Sequence, residues 1–341
     1  MTNMMTAVGF QEHLPIEADD SLMAVELPVP VAQGHDILVA VQAISVNPVD
    51  VGVRGGHGTL KQPKVIGWDA VGVVQTVGEQ VTLFQPGDRV YYAGDFKRPG
   101  SNSQYQLVDE RLVGLAPAKL NNAQAAAMPL TTLTAWEALF EKMQLTMNPT
   151  DNQGQTILII NGAGGVGSIA IQLAKLAGLT VIATASRPET SAWVKQQGAD
   201  IVLNHREDLV SAWRAQKQGK YVDMILGLSN LDAHWDEIAD LIKPDGRIVS
   251  ITENRQPIDL QRLTKKRASF AWEWMFSKAY YQTDNMSSQH QILTQAAQLF
   301  DQGVLKSTLT KTLSPMTVAN LKLAHQLVES HHMIGKVVIT K

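Results

Sequence analysis

The sequence contains no cysteine. This absence excludes a disulfide framework, a cysteine nucleophile and a zinc site built on cysteine ligands. The 341 residues also lack any apolar run of about 18 residues, the length that would span a membrane. The first residues lack the basic and then apolar pattern of a signal peptide. The sequence therefore predicts a cytoplasmic protein that does not associate with membranes.

An excess of charge of one sign is lacking as well. Lys and Arg number 29 and Asp and Glu number 32, which gives a net charge of −3. This balance argues against electrostatic binding to nucleic acid or to an anionic membrane. The nine histidines form no zinc-protease pattern, and His331 and His332 are adjacent, so their side chains do not face one another. We therefore predict no metal site.

One stretch, residues 156–186, carries the clearest signal. Residues 156–160 read as a buried parallel strand, a glycine-rich turn follows, and an apolar helical face leads to a second strand at 180–185. Gly162, Gly164 and Gly167 have the G-x-G-x-x-G spacing, which in a βαβ unit of about 30 residues indicates a dinucleotide pyrophosphate site. The predicted loop consists of Gly162, Ala163, Gly164, Gly165, Val166 and Gly167.

The end of the second strand indicates which dinucleotide binds. NAD sites usually place a carboxylate there, about 20 residues after the glycines, to bind the ribose hydroxyls. This chain has Ser186 and Arg187 instead, and a guanidinium beside a hydroxyl suits a 2′-phosphate. The pattern favours NADPH over NADH. The alternative is that Arg187 is only a solvated loop residue.

Strand and helix patterns divide the chain into domains, as expected for its length. Short strands with Gly and Pro turns fill residues 1–125, which we predict to be a β-rich domain. Strands and helices alternate over residues 126–305, the pattern of a Rossmann doubly wound parallel sheet. Residues 306–341 are predicted to return to the first domain.

Together these features resemble the medium-chain dehydrogenase/reductase superfamily over essentially the whole chain. Several motifs resemble its zinc-independent quinone oxidoreductase, or zeta-crystallin-like, branch: NPVD at 47–50 with Arg54, GWDAVGVV at 67–74, PGDRV at 86–90, PLTTLTAWE at 129–137 and the glycine loop. WEWMF at 272–276 and residues 325–337 resemble a subgroup labelled zinc-type alcohol dehydrogenase-like. The resemblance implies an α/β fold in which the β-rich domain is GroES-like and is completed by the C-terminal tail.

That label conflicts with the residues present. Zinc-dependent relatives carry Cys at the position of Asn47, and Gly-His-Glu where this chain has Gly67, Trp68 and Asp69. They also carry a structural loop with four cysteines. The resemblance instead implies that NADPH delivers hydride to a quinone or an α,β-unsaturated carbonyl compound, as in an NADPH:quinone oxidoreductase or enone reductase. Such an acceptor needs positioning and modest stabilisation of an oxyanion more than it needs a metal.

Four residues are candidates for the catalytic site. The resemblance places Asn47 beside the nicotinamide, whereas Asp50 belongs either to the site or to a structural ion pair with Arg54. Tyr92 lines either the active site or the strand core. Relatives often carry Tyr two residues after the matched Asp, where this chain has Gly52, so His57 is a candidate proton donor, or else a bystander.

Further residues are candidates for binding the cofactor. The resemblance assigns Thr134 a cofactor contact, with helix packing as the alternative, and places Lys336 in a cofactor-proximal turn, unless it is a surface charge. His205, at a position where relatives have Tyr, joins Ser186 and Arg187 as a candidate ligand of the 2′-phosphate. The predicted cofactor-binding residues also include Gly227 and Ile251, which lie at the ends of two later strands.

Two questions stay open at this level. The aromatic cluster at 270–276 is either an edge strand buried in a homodimer or part of the core. The alternative functions are a zinc-free carbonyl or alcohol oxidoreductase, and a non-catalytic NADPH-binding protein of the crystallin-like kind.

Overall fold

The computed structural model describes residues 3–341, and its contacts divide the chain into two compact units. The first unit comprises the residues up to Leu133 together with Phe276–Lys341. The second unit is the continuous stretch Thr134–Met275. The domain boundaries near residues 125 and 305 remain predictions.

Sixteen strands are present in the described residues. They are β1 (Met4–Glu12), β2 (Met23–Pro28), β3 (Asp36–Ser45), β4 (Thr59–Val65), β5 (Ala70–Val77), β6 (Arg89–Tyr92), β7 (Tyr105–Asp109), β8 (Val113–Leu115), β9 (Thr156–Ile160), β10 (Thr180–Thr184), β11 (Ile201–Leu203), β12 (Val222–Gly227), β13 (Ile242–Ser250), β14 (Ser269–Trp272), β15 (Leu309–Leu313) and β16 (Lys336–Thr340).

Ten α-helices connect them within the same residues. They are α1 (Pro48–Arg54), α2 (Asn122–Ala126), α3 (Pro129–Trp136), α4 (Gly165–Leu176), α5 (Pro188–Gln197), α6 (Leu209–Ala215), α7 (Leu231–Leu241), α8 (Ser277–Tyr281), α9 (Ser288–Asp301) and α10 (Val318–Glu329). A π-helical segment, Glu137–Lys142, extends α3.

The first unit is built on two sheets. Three strands form one sheet in the order β2-β1-β4, and seven form the other, in the order β15-β16-β3-β5-β6-β8 with β7 also paired to β3. Strand β16 pairs antiparallel with β3, with Val338 opposite Ser45, and parallel with β15. The predicted return of the C-terminal tail to the β-rich domain is therefore confirmed.

The second unit contains one parallel sheet of six strands, in the order β11-β10-β9-β12-β13-β14. Strand β9 lies at its centre and is buried from Ile157 to Ile160, as a strand covered on both faces must be. Helices α6 and α7 contribute the buried Trp213 and Trp235 to one hydrophobic core. The Rossmann sheet predicted from the alternating pattern is confirmed.

The aromatic cluster starts on an edge of this sheet. Strand β14 pairs with β13 alone, and the side chains of Trp272 and Trp274 are 45% and 39% exposed. Phe270 packs partly buried against the core and contacts Trp235. The cluster is thus an edge strand with one side in the core and two tryptophans exposed.

No helix in the described part of the chain is both long enough and apolar enough to cross a bilayer.

Candidate functional site

The glycine loop joins β9 to α4 in the second unit. A Cβ atom added at Gly167 would lie 2.6 Å from the carbonyl oxygen of Gly162, so only glycine lets the helix start this close to the strand. A Cβ at Gly164 would meet nothing nearer than 3.8 Å, which leaves that backbone open to approach. Asn161, at φ +67°, makes the turn, and its N–H donates to Thr184 Oγ1 at 2.8 Å. The loop has the geometry that a pyrophosphate at a helix N-terminus requires.

The predicted 2′-phosphate ligands follow β10. Ser186 and Arg187 are half-buried, and the Arg187 N–H donates to Thr190 Oγ1 at 3.1 Å at the start of α5. The Arg187 Nε atom lies 3.2 Å from Glu189 Oε1, and that carboxylate is more than half exposed. Because its carboxylate is exposed, this ion pair is weak, and a phosphate can compete with Glu189 for the guanidinium.

His205 lies two residues after β11, the strand that pairs with β10. Its Nδ1 atom is 3.1 Å from Thr184 Oγ1, the hydroxyl that also accepts from Asn161. Partial burial lowers the pKa of His205, and the positive charge of Arg206 lowers it further. These effects favour the neutral imidazole, which can still form a hydrogen bond with a phosphate. Arg206 is exposed and was not identified from the sequence as a candidate cofactor ligand. The only signal for it was its position next to His205.

Three further predicted cofactor residues lie in the second unit. Gly227 ends β12, opposite Ile160 on β9, and Ile251 follows β13 and donates its N–H to the Gly227 carbonyl at 3.2 Å. Both therefore lie at the carboxyl edge of the sheet, where the glycine loop also begins. Thr134 is buried in α3.

A buried polar cluster, consisting of Asn47, Asp50, Asp69 and Lys336, lies in the first unit. All four side chains are at most 4% exposed. The Lys336 ammonium donates to Asp69 Oδ2 at 2.9 Å and also to Asn47 Oδ1. Asn47 Nδ2 donates to Asp69 Oδ2 at 2.8 Å. The Asn47 N–H donates to Asp50 Oδ2 at 2.8 Å, which caps α1. These bonds connect the ends of two distant strands to the loop before β5.

Burial changes the protonation equilibria in this cluster. It raises the pKa of Asp50 to about 7, against the opposing effects of the Asn47 N–H and the Lys336 charge. It also raises the pKa of Asp69, whereas the Lys336 ammonium and the hydrogen bonds of Asn47 and Leu130 act in the other direction. Asp50 is thus the member of the cluster that can exchange a proton near neutral pH.

Two interpretations from the sequence are wrong here. Arg54 pairs with Glu329 and donates to the Leu14 carbonyl, so the suggested ion pair with Asp50 does not exist. Lys336 is 4% exposed and is not a surface charge. Sequence reasoning also missed Asp69 as the centre of the cluster, although its place directly after Gly67 and Trp68 in a family motif was a signal.

The other two catalytic candidates lie outside the cluster. Tyr92 is buried on β6, opposite Ala70, and its hydroxyl has no hydrogen-bond partner among residues 3–341. Burial raises the pKa of Tyr92. His57 is exposed in the turn after α1. Within the described chain no hydrogen bond joins either residue to Asn47, and their catalytic roles remain predictions.

The cluster does not suit zinc. Within the described residues, no group of three His, Cys, Asp or Glu side chains is placed to hold a metal ion. The buried carboxylate of Asp69 and the amide oxygen of Asn47 already bind an ammonium, which repels a second cation. Trp68, which precedes Asp69, stacks on Phe96 at 5.3 Å between ring centroids and offers no metal ligand.

Comparisons with known proteins agree with this architecture. The alcohol dehydrogenase GroES-like domain family matches residues 33–121, and the zinc-binding dehydrogenase family matches residues 165–289. A zinc-type alcohol dehydrogenase-like protein of Staphylococcus aureus MSSA476 is 43% identical over 335 residues, covering 98% of this chain and 99% of the relative. A quinone oxidoreductase of Sus scrofa is 33% identical over 239 residues, covering 69% of each chain.

A solved structure extends the likeness. A Rhizobium etli CFN 42 protein assigned to the zinc-dependent alcohol dehydrogenases is 47% identical, with a TM-score of 0.95 over 100% of this chain and 99% of that one. The chain therefore belongs to the medium-chain dehydrogenase/reductase superfamily, a class of dinucleotide-binding oxidoreductases. Within it, the chain belongs with the zinc-type alcohol dehydrogenase-like proteins that are homologous to quinone oxidoreductases.

Proposed function

We propose that this chain is an NADPH-dependent, zinc-independent reductase that transfers hydride to quinones or α,β-unsaturated carbonyl compounds. The observation that carries the proposal is the ammonium of Lys336 between Asn47 and Asp69, because this donor set disfavours a zinc ion. The Sus scrofa relative, a quinone oxidoreductase, supports the choice of acceptor.

The proposed chemistry needs little more than alignment and a source of protons. A bound NADPH would supply hydride to the electron-poor carbon of the acceptor, and the site would have to stabilise the negative charge on the acceptor oxygen. A proton then completes the reduction. Asp50 is the proposed source because burial raises its pKa to about 7, and Tyr92 and His57 are the other candidates.

The preference for NADPH is supported by the residues after β10. Neither Ser186 nor Arg187 is a carboxylate that would repel a 2′-phosphate, and His205 contacts Thr184 at the end of β10. The guanidinium of Arg187 is the proposed charged partner of that phosphate.

Turnover of matched acceptors tests the proposal. Oxidation of NADPH is measured on metal-stripped protein with 1,4-benzoquinone, a simple enone and a saturated ketone, with NADH in parallel. We expect turnover of the quinone or the enone with NADPH. Arg187→Ala should weaken NADPH binding by roughly tenfold or more and leave NADH unchanged. Lys195→Ala, on α5 of the same unit, is the control for loss of a positive charge.

Three outcomes contradict parts of the proposal. Turnover of the ketone alone, or only after zinc is added, indicates a carbonyl or alcohol oxidoreductase. Tight NADPH binding without turnover of any acceptor indicates a nucleotide-binding protein. Equal effects of Arg187→Ala on NADPH and NADH contradict the 2′-phosphate assignment.

We also propose a cytoplasmic homodimer formed through β14. Trp272 at the end of this edge strand and Trp274 just after it are both exposed, which supports this contact, since exposed aromatic residues and edge strands favour association. Light scattering should show a dimer that Trp272→Lys dissociates. Leu260→Lys, at a residue 51% exposed in the same unit, should not change the mass. A monomeric wild type would refute the proposal.

A further inference from the structure

We propose that the Lys336 ammonium is the resident cation of the first unit: it neutralises Asp69 and holds the Asn47 side chain in one orientation, as a positioning residue for the proposed reductase. The role in turnover rests on the proposed function, whereas the role in stability and amide orientation does not.

The backbone fixes the ammonium before any ligand binds. Lys336 is the first residue of β16, and its N–H donates to the Thr308 carbonyl at 2.9 Å. The next residue, Val337, accepts a hydrogen bond from Ser45 Oγ at 2.9 Å. Lys336 is therefore held at the end of β3, where Asn47 begins α1. The Lys336 side chain is 4% exposed, and its ammonium lies within the cluster, on Asp69 and Asn47.

The hydrogen bonds determine how the Asn47 amide points. Its Oδ1 accepts from Lys336, and its Nδ2 donates to Asp69 Oδ2 at 2.8 Å. A flipped amide would place its NH₂ group against the ammonium and its oxygen against the carboxylate. Both contacts would then be repulsive, so the charged pair selects a single rotamer.

The ammonium also balances the charge of the cluster. Asp69 is fully buried, and its other oxygen accepts from the Leu130 N–H at 2.8 Å at the start of α3. Asp50 is a second buried carboxyl, and Lys336 is the cation that acts on both. Removal of the ammonium would leave a buried carboxylate without a counter-charge, which is far more costly than loss of an exposed ion pair.

A charge cycle tests the proposal. The variants are Lys336→Met, Asp69→Asn, the double variant and Lys336→Arg, which keeps the positive charge. Lys175→Met is the matched control, because Lys175 forms a 2.9 Å ion pair with Asp200 in which both side chains are more than one third exposed. The measurements are the unfolding midpoint, the side-chain amide resonances of Asn47, the Kd for NADPH, and kcat with 1,4-benzoquinone.

We expect Lys336→Met to lower the unfolding midpoint by about 6 °C or more, with a much smaller change for Lys175→Met. The double variant should recover part of that loss, since it removes both charges. Lys336→Met should shift the Asn47 amide resonances and lower kcat by about tenfold, with the Kd for NADPH nearly unchanged. Lys336→Arg should lower the unfolding midpoint and kcat by less than Lys336→Met does.

Two results would overturn the inference. An unfolding midpoint and amide resonances for Lys336→Met that match the wild type would show that the ammonium neither balances Asp69 nor orients Asn47. A large increase in the Kd for NADPH with unchanged stability would assign Lys336 to the cofactor phosphates. If the wild type reduces no acceptor, the proposed function fails, but the midpoints and resonances still decide this inference.

Discussion

The carboxyl groups of Glu137 and Glu273 are hydrogen-bonded to each other in the interior of the second unit. Glu137 begins the π-helical segment, and Glu273 directly follows the edge strand β14. Two carboxylates in contact cannot both be ionised in a buried environment, so the pair retains a proton. Burial and the charge of Glu137 raise the pKa of Glu273 well above its usual range.

This pair predicts a loss of stability at alkaline pH. Because the folded state holds its proton more tightly than the unfolded chain, the stabilising effect is complete below the ordinary glutamate pKa and decreases as pH rises. Between pH 5 and pH 9, the free energy of unfolding of Glu273→Gln should therefore fall by about 2 kcal/mol less than that of the wild type. Urea unfolding at both pH values measures this difference. Glu253→Gln, at an exposed residue of the same unit, is the control, and equal slopes for Glu273→Gln and the wild type would refute the prediction.

The glycine loop predicts two different defects. Gly167→Ala forces a Cβ atom to within 2.6 Å of the Gly162 carbonyl, so it should destabilise the protein by about 1–3 kcal/mol. Gly164→Ala meets no such obstacle in the protein, and it should leave stability unchanged but weaken NADPH binding by about tenfold, because the new methyl group takes space that the pyrophosphate needs. Thermal unfolding and NADPH titration of both variants check this. Unchanged affinity in Gly164→Ala would show that the pyrophosphate does not approach there.

The buried carboxyl of Asp50 gives a prediction near neutral pH. Its folded pKa of about 7 lies above that of the unfolded chain, so its contribution to stability is present in acid and is lost as pH rises through neutrality. Asp50→Asn keeps an oxygen that can accept the Asn47 N–H. Between pH 5 and pH 8, its free energy of unfolding should fall by on the order of 2 kcal/mol less than that of the wild type. Denaturant unfolding across this range measures the difference. If Asp50 is also the proton source, the variant should lose most of its turnover at every pH.

His325 predicts sensitivity to acid instead. It is fully buried on α10, its Nδ1 accepts from Arg54 Nε at 3.4 Å, and its Nε2 has no partner within the described chain. Burial, assisted by the Arg54 charge, lowers the pKa of His325 to about 3. Stability should therefore fall as pH decreases below the ordinary histidine range. At pH 4, His325→Gln should reduce the loss of unfolding free energy by on the order of 2 kcal/mol. The substitution His332→Gln, at an exposed residue, should not change it.

Local patterns predicted much of the fold. Strand β9 has the predicted bounds 156–160, and strand β10 ends at Thr184, one residue before the predicted end at 185. These features depend on alternation, burial and turn chemistry within a few neighbouring residues. Strand β4 was not predicted, because its sequence TLKQPKV is polar and contains a proline.

Residues of the site that belong to a local motif could be predicted, whereas contacts between residues far apart in the sequence could not. The spacing of the glycines and the residues after β10 can be recognised from sequence alone. The partners of Lys336 and Arg54 cannot, because Lys336 meets Asn47 across 289 positions and Arg54 meets Glu329 across 275. No local periodicity encodes such contacts. They depend on the pairing of β16 with β3 and on the packing of α10 against α1.

The pairing of β3 with β16 also sets an order for folding on the ribosome. Ser45 reaches its partner Val337 across 292 positions, so the sheet of the first unit cannot close while the chain is still short. The second unit is continuous and is synthesised in full before β15 and β16. Its parallel sheet can therefore form while residues 43–45 of β3 still lack their partner β16, whereas residues 36–40 of β3 can already pair with β7.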